Sequence, residues 1–172
     1  MKKQINLLIL TAIMFAGIGC AKDNKEPGKT EAPYQKKDTY FSLPNRNGGN
    51  IDLADYKDKS VTLIFFAHYC PYCKKAAPFM NRIYDTYKDK GLIVLGISTD
   101  KNKDTANIFA TEQKLDFPIA YNGAEISMQY KTRGVPYIFV LDKKHEIMDF
   151  WAGYDESYDA EIIETIAKVL GK

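Results

Sequence analysis

The stretch SVTLIFFAH, from Ser60 to His68, constrains the fold more than any other feature of the sequence. Its apolar residues occupy consecutive positions instead of alternating with polar ones. Such a run is typical of a β-strand buried on both faces, as strands are in a parallel sheet covered by helices on both sides. The sequence therefore predicts an α/β domain. With 172 residues, 45% of them hydrophobic, the chain is long enough for one such domain.

Shorter segments extend this α/β pattern. Two short strands, over 40–43 and 51–53, flank the turn Asn47-Gly48-Gly49 and predict an N-terminal hairpin. Apolar residues at helical spacing predict a helix over 71–90, ended by Gly91. The predicted elements after it are a buried strand in LIVLGIS, a helix over 102–114 with Ile108, Phe109 and Leu115 inward, a short strand in DFPIAY, a helix over 124–131, strands in YIFVL and IMDFW, and a helix over 158–170. We expect a mixed sheet with a parallel centre, an antiparallel hairpin at its end and helices on both faces, with Phe150 and Trp151 in the core.

The N-terminus has the anatomy of an export signal. A basic start precedes an apolar run over 5–18 that is too short and wrongly flanked for a membrane-spanning helix. The run closes with AGIGC, which resembles the lipobox of bacterial lipoproteins, although Gly17 replaces the usual leucine-like residue. We therefore expect a signal peptide over 1–19, a lipidated Cys20 with a flexible tether over 20–38, and a folded domain over 39–172. Ordinary cleavage and an uncleaved anchor are the alternatives.

Two further cysteines lie in the segment YCPYC. Cys70 falls where the buried strand gives way to the predicted helix, so unpaired N–H groups and the positive end of the helix dipole would stabilise a thiolate there. Pro71 suits the first position of that helix. Cys73, three residues on, is within the range that a disulfide can bridge. The arrangement predicts dithiol–disulfide exchange, with Cys70 as the nucleophile and Cys73 as the resolving thiol.

Other interpretations of the two cysteines explain less of the pattern. A zinc site needs about four ligands, whereas the chain offers two thiols and the histidines His68 and His145, so we expect no metal and no cofactor. His145 lies in a polar turn and is expected to be solvated. A purely structural disulfide would close too small a loop to stabilise much. A redoxin-type thiol peroxidase and a non-catalytic binding module with an incidental disulfide remain the alternatives.

Four segments together resemble the thioredoxin fold, and specifically the TlpA/ResA-like membrane-tethered thiol-disulfide oxidoreductases of bacteria. They are LIFFAHYCPYCKKAAPFMNRIY, GLIVLGISTDKN, RGVPYIFVLDKKHEI and WAGYDESYDAEII. The resemblance implies a thioredoxin-like fold with an extra N-terminal β-hairpin. It also implies a cis peptide bond before Pro136, facing the cysteines, and pairing of the Val135 backbone with an extended substrate peptide. We expect Tyr69, Tyr72 and Tyr137 to surround the site and to offer flat apolar surface to a protein substrate.

The sequence departs from this resemblance where protons would be handled. Ile64 stands six residues before the first cysteine, where thioredoxins have a buried acid. Ala76 stands three residues after the second, where ResA-type reductases have glutamate. Cys73 would then lose its proton to water or to another group, for which His68 is the candidate. Ala67 stands where redoxin-type peroxidases place a hydroxyl, which weakens that alternative.

The resemblance also implies a location and partners. We expect an exported lipoprotein, anchored to a membrane and facing the periplasm or the cell exterior, that acts on disulfides or thiols of other extracytoplasmic proteins. A membrane redox partner would recycle its dithiol, and cytochrome c maturation is the process that the family suggests. Loss of Lys2 and Lys3 with the signal peptide would bring the formal net charge from +2 to zero. That balance argues against a nucleic-acid partner.

Overall fold

The computed structural model of the protein describes residues 36–171, which follow the predicted α/β order. The elements are β1 (Ser42–Pro44), β2 (Asn50–Asp52), β3 (Ser60–Phe66), α1 (Pro71–Tyr87), β4 (Leu92–Ser98), α2 (Lys103–Glu112), β5 (Ile119–Ala120), α3 (Ala124–Gln129), β6 (Tyr137–Leu141), β7 (Ile147–Ala152) and α4 (Asp159–Val169). The predicted signal peptide, Cys20 and most of the predicted tether lie outside the described residues. Within 36–171, no helix has both the length and the apolarity that a membrane span requires.

The central sheet has five strands in the order β5-β4-β3-β6-β7. Its first three strands are parallel, whereas β6 is antiparallel to β3 and β7 is antiparallel to β6. Strands β1 and β2 form a separate antiparallel hairpin, which reaches the sheet through an isolated bridge between Asn45 and Ala120. The structure thus confirms the mixed sheet with an added N-terminal hairpin.

Both faces of the sheet are buried along β3, as its consecutive apolar residues predict. Ile64 and Phe66 belong to one apolar cluster, which we call the helical face because it also contains residues of α1, α2 and α4. Val61, Leu63 and Phe65 belong to a second cluster, the hairpin face, which contains Leu43 and Ile51 of the hairpin. Successive strand residues point to opposite sides, so a strand covered on both sides needs no polar positions.

Two residues predicted to lie inward are exposed. Ile108 is 55% exposed, because its neighbour Phe109 turns into the core and stacks on Phe66 with ring centroids 4.6 Å apart. Phe150 is 54% exposed, whereas the adjacent Trp151 is buried as predicted. The sequence predicts both residues to lie in the core, as in a strand that is packed on both faces. However, β7 is an edge strand, and Trp151 points to the packed helical face whereas Phe150 points to the other face.

His145 is buried rather than solvated. The residue is fully inaccessible, and its Nε2 lies 3.1 Å from the carbonyl oxygen of Tyr56. The Thr39 hydroxyl donates a hydrogen bond to the His145 carbonyl at 2.7 Å, and Lys37 pairs with Glu146 at 2.6 Å. The first described residues thus pack against the turn between β6 and β7. The packed part of the chain therefore includes Lys37, two residues before the predicted domain boundary.

Candidate active site

A disulfide between Cys70 and Cys73 lies where β3 leads into α1, with the two Cα atoms 5.2 Å apart. Cys70 is the N-cap residue of α1, and its sulfur accepts a hydrogen bond from the backbone N–H of Cys73 at 3.1 Å. Pro71 occupies the first turn, which contains no acidic residue. Backbone N–H groups and the helix dipole favour negative charge at this position, so they would stabilise a Cys70 thiolate after reduction.

The main chain of Val135 lies directly beside the first sulfur. The Val135–Pro136 peptide bond is cis, as the resemblance implies, and the Val135 carbonyl oxygen lies 3.4 Å from Cys70 Sγ. The Pro136 carbonyl accepts the N–H of Gly153 at 2.8 Å. By contrast, the Val135 N–H donates to no acceptor within residues 36–171. Such a donor, in the residue whose carbonyl oxygen lies beside Cys70 Sγ, is suited to pairing with an extended peptide.

A hollow of about 250 Å³, which we call the disulfide groove, adjoins this backbone. It is lined by residues of α3 and of the loops that follow β4, precede the cis bond and precede the disulfide, namely Tyr69, Thr99, Ala124, Ser127, Met128, Thr132, Gly134 and Val135. Tyr69 is 72% exposed and Met128 is 68% exposed. Sequence reasoning identified Tyr69 and Val135 but missed Met128, because only the folded chain brings the short helix α3 to the cis bond.

The three tyrosines do not lie together. Tyr69 lines the disulfide groove, and Tyr72 is exposed on the first turn of α1, where the Lys75 ammonium lies 5.1 Å from its ring centroid. Tyr137 instead stacks on Phe139 and Phe150 on the hairpin face of the sheet. The structure thus places Tyr69 beside the groove and Tyr137 in a different hollow.

Cys73 lies in apolar surroundings. It is 1% exposed and belongs to the cluster on the helical face that also contains Ile64, Ala67 and Ala76. No polar side chain in the described part of the chain hydrogen-bonds to its sulfur. Ile64 and Ala76, which occupy the positions where acidic residues are expected in this fold, therefore also have apolar surroundings. Such burial disfavours a Cys73 thiolate.

His68 is held by a carboxylate that sequence reasoning did not identify. Asp100 accepts the backbone N–H of His68 at 3.0 Å, and its other oxygen lies 3.1 Å from His68 Nδ1. Ser98 Oγ donates to the same carboxylate at 2.9 Å. Asp100 thereby fixes the loop that carries Tyr69. Its position directly after the buried strand LIVLGIS, at the edge where parallel strands end, was the available signal.

A thioredoxin-like fold with a dithiol at the start of its first long helix defines a thiol-disulfide oxidoreductase. A model of the AhpC/TSA family matches residues 35–150. The thiol-disulfide oxidoreductase ResA of Bacillus cereus (strain ATCC 10987 / NRS 248) is 32% identical over 151 residues, which cover 85% of this chain and 83% of the relative. The ResA of Geobacillus kaustophilus is 30% identical over 166 residues, or 94% and 95% of the two chains. This chain therefore belongs to the AhpC/TSA family, and it is similar to ResA over most of its length.

Solved structures confirm the thioredoxin-like fold. A Chlorobium tepidum protein provisionally named thiol:disulfide interchange protein DsbE superposes with a TM-score of 0.72 and 26% identity, over 77% of this chain and 94% of that one. A thiol-disulfide oxidoreductase from Bacteroides fragilis superposes with a TM-score of 0.66 and 23% identity, over 75% of this chain and 98% of that one.

Proposed function

We propose that this oxidoreductase reduces or exchanges disulfides in partner proteins outside the cytoplasm, with Cys70 as the attacking sulfur and Cys73 as the resolving one. The observation that carries the proposal is the main chain of Val135, which adjoins the disulfide groove and lies 3.4 Å from Cys70 Sγ. A partner segment that pairs with Val135 would pass next to Cys70. Both cysteines belong to the apolar cluster of the helical face, but the Val135 main chain adjoins Cys70, so we assign the second, intramolecular step to Cys73.

The exchange balances in two substitutions at sulfur. The Cys70 thiolate attacks one sulfur of the partner disulfide, a mixed disulfide forms, and the other partner sulfur leaves as a thiolate that takes up a proton. Cys73 then loses its proton and attacks Cys70 Sγ, so the enzyme disulfide forms and the second partner thiol is released. Two electrons pass to the partner. A dithiol donor must return them, which is the role we propose for a membrane redox partner.

The order of the two sulfurs is tested with single substitutions in an insulin-reduction assay with a dithiol donor. We expect Cys70→Ser to be inactive. Pre-reduced Cys73→Ser, mixed with insulin after the donor is removed, should accumulate a mixed disulfide at position 70, detectable by mass spectrometry after acid quenching and alkylation. Cys20→Ser, which leaves the pair intact, is the matched control. Full activity in Cys70→Ser, or capture at neither cysteine, would contradict the assignment.

The location and the partner class are part of the same proposal. The signal-like segment 1–19 and the lipobox-like AGIGC support export, a lipidated Cys20 and a membrane anchor. Radiolabelled fatty acid should enter the wild type but not Cys20→Ala, and that variant should leave the membrane fraction. Cytochrome c maturation, the process that the resemblance to TlpA/ResA-like oxidoreductases suggests, is the partner process that we propose. An oxidised apocytochrome segment should then be reduced faster than a scrambled segment with the same disulfide, and equal rates would remove this partner.

The proton-transfer role of His68 stays a prediction. If the imidazole accepts the proton of Cys73, His68→Gln should change the shape of the pH–rate profile for mixed-disulfide resolution. Asp100→Asn is the matched comparison, because it disturbs the same hydrogen-bonded loop while keeping the imidazole. If both variants change only the amplitude of the pH–rate profile and keep its shape, His68 serves to hold the loop in place. Water would then be the acceptor of the Cys73 proton.

A further inference from the structure

The hairpin face of β6 and β7 carries an aromatic groove that the thiol chemistry does not use. The rings of Tyr137, Phe139 and Phe150 are stacked pairwise, with interplanar angles of 17° to 27° and centroids 5.7 to 6.4 Å apart. Phe139 is buried and forms the floor, whereas Phe150 is 54% exposed and Ile147 is 43% exposed. The hollow bounded by these residues and Tyr130 is about 430 Å³. Exposed aromatic and aliphatic side chains around a hollow of this size are typical of a binding surface.

Two cations without partners stand at the edge of the aromatic groove. Lys131 and Arg133 both line it, and within residues 36–171 neither is near enough to a carboxylate to form an ion pair. Two carboxylates of β7 and the turn before it have other partners, and Asp38 lines an adjoining hollow together with Lys131 and Ile147. Glu146 pairs with Lys37 at 2.6 Å, and Asp149 accepts the backbone N–H of Phe150 at 2.8 Å. An apolar hollow with Lys131 and Arg133 at its edge fits an aromatic or bulky aliphatic side chain next to a carboxylate.

The aromatic groove and the disulfide groove are lined by one shared segment, residues 131–134. Alternate residues of one segment line the two hollows: Lys131 and Arg133 face the aromatic groove, and Thr132 and Gly134 face the disulfide groove. The aromatic groove begins at Tyr137, directly after the cis proline, and reaches Ile147, which is paired with Leu141. At about 3.3 Å per residue, this is a distance of roughly 13 Å along β6. A partner whose two recognition elements are joined by a linker that crosses this segment can therefore contact both hollows.

We propose that the aromatic groove is a second docking site for the disulfide-bearing partner, which binds there through an acidic segment with an aromatic or bulky aliphatic side chain. The inference rests on the proposed function, because the first contact is the one at the disulfide groove. Binding at the second site raises the effective concentration of the partner disulfide at Cys70 without changing the chemistry. The groove thus selects partners by a feature outside their disulfide.

Synthetic peptides test this with the full chain. One core peptide contains a Cys-x-x-Cys disulfide, and two longer peptides add to it, through Gly-Ser linkers of several lengths, either Glu-Phe-Glu-Leu-Glu or Lys-Ser-Lys-Ser-Lys. The variants are Phe150→Ser and Arg133→Gln. Their matched controls are Met148→Ser, which is 52% exposed on the same strand but does not line the groove, and Lys143→Gln, an exposed cation away from it. Fluorescence anisotropy measures binding of the labelled acidic extension alone.

We expect the acidic aromatic extension to raise kcat/KM about tenfold over the core peptide at low salt, and the basic extension to give no gain. Phe150→Ser and Arg133→Gln should lose this gain, both controls should keep it, and the core peptide should react equally with all five proteins. Equal kcat/KM for the three peptides, or equal losses in the control variants, would overturn the second site. A dimer in sedimentation that is abolished by Phe150→Ser, with no gain for the acidic peptide, would assign the surface to a second copy and also overturn it.

The two proposals fail in different ways. Extension binding that depends on Phe150, together with no reduction of any peptide, would contradict the proposed function and keep the docking site. Reduction of the core peptide without preference for the acidic extension, and without binding of that extension, would keep the function and contradict the docking site.

Discussion

The burial of His145 predicts that the protein loses stability in mildly acidic solution. Burial lowers the pKa of His145 below 6.5, and this effect exceeds the opposing effect of hydrogen bonds with the backbone of Tyr56 and Lys59. In the unfolded chain the imidazole is free to take up a proton as the pH falls through 6.5, whereas in the folded chain its lowered pKa moves protonation to a lower pH. Folding is therefore favoured above pH 6.5, and this contribution is lost as the pH falls toward the lowered pKa.

The size of the effect follows from proton linkage. If the folded state keeps His145 neutral throughout, lowering the pH from about 7.5 to about 5.5 reduces the free energy of unfolding by about 1.4 kcal/mol through this residue. For a chain of this length, that loss corresponds to roughly 3–6 °C in Tm. A folded-state pKa within this range would make the loss smaller, so about 1.4 kcal/mol is the upper limit.

Urea unfolding of the wild type and of His145→Asn at the two pH values measures this term. Asparagine tolerates the backbone of position 145, where φ is 59°, and any constant cost of the substitution cancels in the pH difference. We expect the pH difference of the variant to be smaller than that of the wild type by up to about 1.4 kcal/mol. Lys144→Asn, in the same turn, should keep the wild-type difference. An equal pH difference in His145→Asn, or a wild type that gains stability at the lower pH relative to the variant, would refute the reasoning.

Three further predictions concern the site. Gly123→Ala should destabilise the fold by about 1–3 kcal/mol, because the added Cβ would overlap Ile97 Cγ2 and lie 3.1 Å from the Ser98 carbonyl oxygen. Gly134→Ala, where an added Cβ has nothing within 4 Å, is the stability control. Equal losses of stability in urea unfolding of the two variants would contradict the packing argument. Met128→Ser should lower kcat/KM for disulfide peptides several-fold, as expected for loss of an exposed apolar contact in the disulfide groove, and leave reaction with a small dithiol unchanged; Met148→Ser is the matched control, and an unchanged kcat/KM in Met128→Ser would remove Met128 from the substrate surface. Hydrogen peroxide should be consumed slowly, because the buried Ala67 offers a methyl group where a redoxin-type peroxidase is expected to place a hydroxyl; rapid consumption at low peroxide concentration would restore the peroxidase alternative.

Local patterns predicted most of the fold and the dithiol. Consecutive apolar residues identified β3 as a strand covered on both faces, and the spacing of Cys70 and Cys73 across a strand–helix junction identified the redox pair. Both inferences need only the periodicity and chemistry of neighbouring residues. The position of Pro136 opposite the sulfurs came from the resemblance, since nothing within its own segment indicates which element it faces.

The features that the sequence did not show depend on how distant segments of the chain pack against one another. Phe150 has the apolar character of a core residue, but it lies on the edge strand β7 and is more than half exposed. His145 lies in a polar turn, yet the first described residues pack over that turn and bury it. Asp100 and Met128 reach the site from separate segments. Such arrangements follow from tertiary packing, which residue periodicity does not encode.

The contact between Lys37 and Glu146 fixes where the chain enters the domain, at the end of β6 that is remote from the disulfide. Because β3 and β6 run antiparallel, Cys70 lies near Val135 at one end of the sheet, and the turn with His145 lies at the other end. The two ends are separated by the six residue steps from Val135 to Leu141, or about 20 Å. A bead or an electrode surface coupled at Lys36 would therefore be attached at the end of the sheet that is remote from the disulfide. Immobilisation from this side is the geometry to choose for a sensor or a reusable disulfide-exchange resin.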